Sequence, residues 1–176
     1  MSGHSKWKKI KHQKGTADQK RGRIFSKLLA AISVAAKGEP NPQFNPRLRA
    51  AIEKAKENKV PFENIDRAIK HSSEEKNLEE AIFEAYGPEG AAILIVAITN
   101  NTNRSVSEIK KILSDNNAKW AEPGSVKWAF EQNVESQEWQ AKFPQEISSE
   151  AKEKLRELIE KLEDRDDVQG VYVNTL

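Results

Sequence analysis

Apolar residues in this chain recur first at helical spacing and then, from about residue 80, at strand spacing, and this change of period divides it. Ile24, Phe25, Leu28, Leu29 and Ile32 fall three and four apart. A helix from a capping box at Thr16 and Gln19 to a stop at Gly38 accounts for them. The Pro-rich connector GEPNPQFNP ends in Asn45-Pro46, an N-cap followed by proline at the first helical position. The second helix then buries Leu48, Ala51, Ile52 and Ala55. Val60-Pro61 restarts the chain into a third helix whose predicted inner face is Phe62, Ile65 and Ile69. Together these predict a three-helix domain over residues 16–73, closed by the polar segment SSEEKN.

Residues 80–86 and 91–99 read as two strands around Gly87-Pro88-Glu89-Gly90, the second apolar enough to be buried on both faces. A capping box at Ser105 and Glu108 predicts a helix with Val106, Ile109, Ile112 and Leu113 inward. Residues 118–122 and 125–131 predict a hairpin about Pro123-Gly124 that turns Val126, Trp128 and Phe130 onto one buried face. The stretch from Asn133 to Pro144 has no period. A last helix, with Leu155, Leu158, Ile159 and Leu162 inward, leads to a strand at 168–173. The pattern predicts an α+β multidomain chain. A helical first domain precedes an α+β domain, 78–132 plus 148–176, with a mostly antiparallel sheet. No internal repeat is present.

Charge sharpens the division. Residues 1–76 hold 18 basic and 8 acidic side chains, a net of +10, and residues 77–176 hold 11 and 19, a net of −8. The first 27 residues alone carry nine Lys or Arg against the single acid Asp18. Such a division points to a polyanionic partner for the basic half. Residues 1–15 read as a flexible basic arm. Lys6, Lys8, Lys9, Lys11, Lys14, Lys20, Arg21, Arg23 and Lys27 are placed to take phosphates, and Trp7, His4 and His12 to stack or hydrogen-bond. Arg47 and Arg49 on the second helix extend the set. In TNNTNRS (99–105), Arg104 beside a helix N-terminus offers an anion site, and a well-capped loop explains the same residues equally well.

Other classes of function find little support. With no cysteine, disulfides, thiolate metal sites and Cys nucleophiles are excluded. His4, His12 and His71 lack HxxH or HExxH spacing, so neither metal nor cofactor is expected. YGPEG (86–90) is too short for a nucleotide loop. Acidic pairs such as Glu74-Glu75, Glu79-Glu80 and Asp166-Asp167 read as capping or solubilising groups. No catalytic constellation assembles, so no enzyme is expected. No apolar run reaches membrane-spanning length, and no apolar segment follows the basic start, so a cytoplasmic protein without a membrane partner is expected.

The ordered motifs Gly3-His4-Ser5-Lys6-Trp7, Ile10-Lys11-His12, Lys20-Arg21-Gly22, Asn45-Pro46-Arg47-Leu48-Arg49, Tyr86-Gly87-Pro88, Asn103-Arg104, Gly124-Ser125-Val126 and Asp167-Val168-Gln169 resemble YebC-like proteins over most of the chain. The resemblance implies a helical first domain and later α+β domains, with a third domain inserted in the second. Residues 133–147 stand where that insert would be, as a linker, so the chain resembles a short form. Two roles come with the resemblance. One is DNA-binding transcriptional regulation. The other is translation, as for the mitochondrial translational activator of cytochrome c oxidase, including a ribosome-bound role in synthesis of proline-rich stretches.

The sequence reading is therefore a non-enzymatic nucleic-acid-binding regulator of gene expression, expected as a monomer. Ribosomal RNA is favoured because a flexible arm with rings among lysines suits irregular RNA, whereas duplex reading usually needs a rigid helix in the major groove. Duplex DNA is the alternative. A protein–protein adaptor using the acidic half is a third reading.

Overall fold

The structure, a computed structural model, describes residues 3–176, with side chains from Ala17 onward. Residues 3–70 hold three helices: α1 (Gly3–Ala36), α2 (Pro46–Glu57) and α3 (Phe62–Lys70). Gly38, at φ +84°, takes the left-handed conformation that ends α1. Asn45 caps α2 as expected, its side chain accepting from the Leu48 amide. Leu28, Ile32, Leu48, Ala55, Val60 and Ile65 are buried together where the three helices meet.

Two expectations fail in this region. Helix α1 starts at Gly3 rather than at Thr16, because the stretch ahead of Thr16 is rich in Lys, a good helix former, and carries the helix past the cap signal. What read as a flexible arm is thus the N-terminal half of a helix about 50 Å long. Phe62 is exposed rather than inward. It is the first residue of α3, and helical side chains lean toward the N-terminus, so it reaches past the packed length.

The second half is built on β1 (Glu79–Tyr86), β2 (Ala92–Thr99), α4 (Thr102–Asp115), β3 (Lys119–Ala121), β4 (Phe130–Gln132), β5 (Trp139–Ala141), α5 (Ser149–Glu163) and β6 (Val168–Val173). The main sheet is antiparallel in the order β3-β1-β2-β6. Every residue of β2 is buried, as its unbroken apolar run requires. Ile93, Ile95 and Ala97 face α4 and α5, where they join Phe83, Ile109, Leu113, Leu155, Leu158 and Leu162. Ala92 and Leu94 face the other way, under Val126, Ala129 and Phe130. Val96 and Ile98 reach a cleft that α1 helps to line. A bulge opposite Val96/Ala97 lets Val168 and Val171 share the α5 side despite their odd spacing. It also places Gln169, whose amide donates to the Lys27 carbonyl of α1 at 3.2 Å.

The sheet region corrects three further expectations. Asn101, not Ser105, caps α4. Ser105 is buried inside the helix, 2.9 Å from the Thr99 hydroxyl, and it donates to Asp167. The hairpin expected from 118–122 and 125–131 is absent: β3 pairs with β1, and β4 pairs with β5. The cause is Glu84, a 4% exposed carboxylate amid the apolar run of β1. It accepts the amides of Gly124, Val126 and Lys127 at 2.6, 2.7 and 2.8 Å, wrapping the chain around an anion before it can form a second ladder. A single 3-10 turn over Lys127–Ala129 follows. Three residues per turn replace the two-residue alternation, so Trp128 points outward at 62% exposure while Val126 and Phe130 stay buried. Finally, the aperiodic segment 133–147 is not featureless, since β5 within it completes a small hairpin with β4.

Candidate nucleic-acid interface

Lys20, Arg23 and Lys27 stand three and four residues apart, so they share one face of α1. That face looks onto the C-terminal end of α5. Arg23 Nη1 donates to the Asp164 carboxylate at 2.7 Å and to its carbonyl at 3.0 Å, and Nε lies 3.1 Å from Asp166. Lys27 Nζ donates to the Glu163 carbonyl at 2.5 Å. Cations at this end satisfy carbonyls that the helix leaves free and oppose its partial negative charge. Burial lowers the Lys27 pKa, and the neighbouring Glu163, Asp166 and Asp164 charges offset only part of that effect. Lys20 and Arg21 are exposed and have no ion-pair partner among the described residues.

The remaining cations are placed as follows. Arg47 pairs with Glu80 of β1. Arg49 donates to the carbonyls of Pro42 and Gln43 at 2.7 and 3.0 Å, bracing the Pro-rich connector. Arg104 is exposed and reaches Asn100 at 3.1 Å, while its backbone amide is taken by the Asn101 cap. The capped-loop description therefore fits residues 99–105, and Arg104 stands apart from the cations of α1 and α2, which line a different surface. The side chains of His4, Lys6, Trp7, Lys8, Lys9, Lys11, His12 and Lys14 lie outside the described residues.

Between the helical and sheet halves is a cleft of about 400 Å³, walled by α1 and α2 on one side and by Val96, Ile98, Trp139 and Tyr172 on the other. Lys27, Arg47 and Lys54 sit at it, and Lys54 lies 3.6 Å from Glu138 of the small hairpin. Burial raises the Tyr172 pKa, reinforced by Glu138, Glu163 and Glu80.

Sequence reading missed the acids that meet these cations. Asp164, Asp166, Glu80 and Glu138 bind the halves together, and Asp167 is 7% exposed rather than a solubilising group. Burial alone would raise the Asp167 carboxyl. Hydrogen bonds from Ser105 and Arg165, with the guanidinium charge, outweigh that and hold it below the usual range. Glu84 behaves alike: burial opposes ionisation, and the three loop amides with Lys127 overcome it. Both buried carboxylates are saturated by structural bonds, and no group of three or more His, Cys, Asp or Glu among the described residues could hold a metal. No helix among them is long and apolar enough to cross a membrane.

Comparison with known proteins matches these halves separately. A TACO1/YebC protein N-terminal domain model matches residues 5–75, and a model of the TACO1/YebC second and third domain matches residues 78–137 and 132–175. A probable transcriptional regulatory protein of Desulfosudis oleivorans is 50% identical over 135 residues, covering 74% of this chain and 55% of its own length. One from Geobacter sulfurreducens is 48% identical over the same shares. The chain thus spans about half the length of the curated relatives it matches. A crystal structure of a conserved hypothetical protein from Aquifex aeolicus superposes with a TM-score of 0.80 at 31% identity, covering 90% of this chain and 91% of that one. With the domain models of one family laid along it from residue 5 to residue 175, on the fold of that solved structure, the chain belongs to the TACO1/YebC family.

Proposed function

We propose that the protein is a non-enzymatic, nucleic-acid-binding regulator of gene expression that acts in the cytoplasm on the ribosome, contacting ribosomal RNA through the N-terminal half of α1. The carrying observation is the distribution of charge along that helix. Of its cations, Arg23 and Lys27 are engaged by the sheet half, whereas Lys20 and Arg21 are exposed. The sequence ahead of them adds Lys6, Lys8, Lys9, Lys11 and Lys14 with Trp7, His4 and His12. The names of the relatives support regulation, and the buried carboxylates Glu84 and Asp167 are committed to structure rather than catalysis. The family resemblance adds the expectation that proline-rich sequences are the ones whose translation is eased.

Sedimentation tests this reading. The protein should travel with ribosomal particles in a sucrose gradient of cell lysate. That association should survive DNase, vanish in high salt, and crosslink to ribosomal RNA through residues 3–27. Its loss should slow synthesis of particular sequences without changing their messenger levels.

Two observations favour a second reading. Because the basic segment is helical from Gly3, it has the form that enters the major groove of B-DNA, and the relatives' name is that of transcriptional regulators. A discrete duplex footprint, bound at least ~10³-fold above non-specific DNA, with free sedimentation at low salt, would put DNA first.

A further inference from the structure

Trp128 and Phe143 form an exposed aromatic pair on the sheet half, far in sequence from the basic helix. The two residues are 62% and 58% exposed, with ring centroids 5.7 Å apart and planes tilted by 45°. The Trp128 indole is held in place. Its Nε1 donates to the Ser125 carbonyl at 2.8 Å, and the backbone on either side of Ser125 is tied to the buried Glu84 carboxylate. With its only polar atom satisfied from within, the indole offers the outside a bare ring face. Two large rings exposed side by side form an apolar spot on which a partner can pack.

One cation lies by a ring of the pair and another by the ring of Trp139 on the small hairpin. Lys142 Nζ lies 6.0 Å from the Phe143 ring centre, and Lys127 Nζ lies 5.5 Å from that of Trp139. Neither lysine has an ion-pair partner among the described residues. In sequence each exposed ring directly follows a lysine, Lys127-Trp128 and Lys142-Phe143, as Trp7 follows Lys6 in the basic helix. A ring beside an ammonium matches the alternation of base and phosphate along an unpaired strand.

We propose that Trp128 and Phe143 are a stacking platform for unpaired nucleobases, with Lys127 and Lys142 taking the adjoining phosphates, so that a single strand reaching the basic helix is held at a second point. The Trp128 ring is anchored before binding, which removes the ordering cost that a mobile Trp would incur. This inference rests on the nucleic-acid reading above and adds to it a preference for unpaired over duplex segments.

The test measures affinity of the full chain for a labelled 12-nucleotide oligouridine and for a 12-base-pair duplex. Trp128→Ala should weaken oligouridine binding by roughly tenfold or more and leave duplex binding within about twofold, with an unchanged melting temperature. Trp128→Phe should restore most of the loss. Lys127→Gln with Lys142→Gln should flatten the oligouridine salt slope by about 1.4, at −0.7 per phosphate contact. Equal affinity of wild type and Trp128→Ala for oligouridine, or an equal loss on both probes, overturns the platform. Should a decaproline peptide bind in a Trp128-dependent manner while oligouridine binding ignores the substitution, the surface serves a peptide and the proposal also falls. If reversal of Lys6, Lys8, Lys9 and Lys11 to Glu abolishes binding while Trp128→Ala does nothing, only the platform fails. A wild-type chain that binds neither probe at low salt removes both readings.

Discussion

The two halves of this molecule use their charged groups in opposite ways. In the sheet half the carboxylates that matter are inside. Glu84 organises a loop by collecting three amides, and Asp167 joins Ser105 and Arg165 beneath α4. In the helical half the cations that matter are outside. Several of them cross to the other half, Arg23 to Asp164 and Asp166, Arg47 to Glu80, Lys54 to Glu138. A charge imbalance visible in the sequence therefore has two uses. Part of it joins the halves, and the part ahead of Arg23 on α1 is what the proposed nucleic-acid contact can draw on.

The largest contrast should appear when one buried acid is neutralised. Glu84→Gln keeps the shape but accepts fewer of the three amides, at a cost of about 1.5–3 kcal/mol, read as a fall of several degrees in the melting temperature. The pH dependence follows in sign. Glu84 and Asp167 both have pKa values below their ordinary ones. Their contribution is full above the unfolded carboxyl range near 4 and is lost as pH falls through the lowered values. Melting temperatures of wild type and Glu84→Gln should accordingly converge in acid. A gap that stays constant down to pH 2 breaks this half of the comparison.

Trp7→Ala tests the other half. It should weaken nucleic-acid binding by roughly 1–3 kcal/mol while barely moving the melting temperature. Loss of stability with binding intact would make Trp7 a packing residue.

Asp164→Asn with Asp166→Asn sharpens the division of labour within α1. These pairs are exposed, so the stability cost should stay under about 1 kcal/mol. Freeing Arg23 and removing two negative charges should raise nucleic-acid affinity a few-fold. Unchanged affinity would mean that the face of α1 turned toward α5 plays no part in binding.

A small effect on stability is expected at Trp128 as well. Its alternation with Val126 and Phe130 reads as core, for which truncation to Ala would cost about 3–5 kcal/mol, yet it is 62% exposed. Trp128→Ala should change stability by no more than about 0.5 kcal/mol.

That contrast marks where sequence reading works. Local signals carried α2, β1, β2, α5 and β6, because the Asn45 cap, the Pro46 position and the apolar periods act within a few residues. The failures came from partners distant in the chain. Nothing near Val126 or Trp128 says that Glu84, some 40 residues earlier, will capture the loop amides. Nothing near Arg23 says that Asp164, 141 residues away, will engage it. A single Glu inside the apolar run IFEAY was the available clue to the first. The run EDRDD at 163–167, opposite in sign to α1, was the clue to the second.

The central claim is that the cations ahead of Arg23 on α1 bind a polyanion while those from Arg23 onward serve chiefly to hold the halves together. Binding of a labelled ribosomal RNA fragment, titrated against salt, measures this directly for wild type and for Lys6, Lys8, Lys9 and Lys11 all changed to Glu. Wild-type log affinity should fall with log salt at a slope of about −3 to −4, as for five single-strand phosphates. The variant should lose binding altogether with its melting temperature unchanged. A flat salt response, or a charge-reversed variant that binds as well as wild type, would contradict the account.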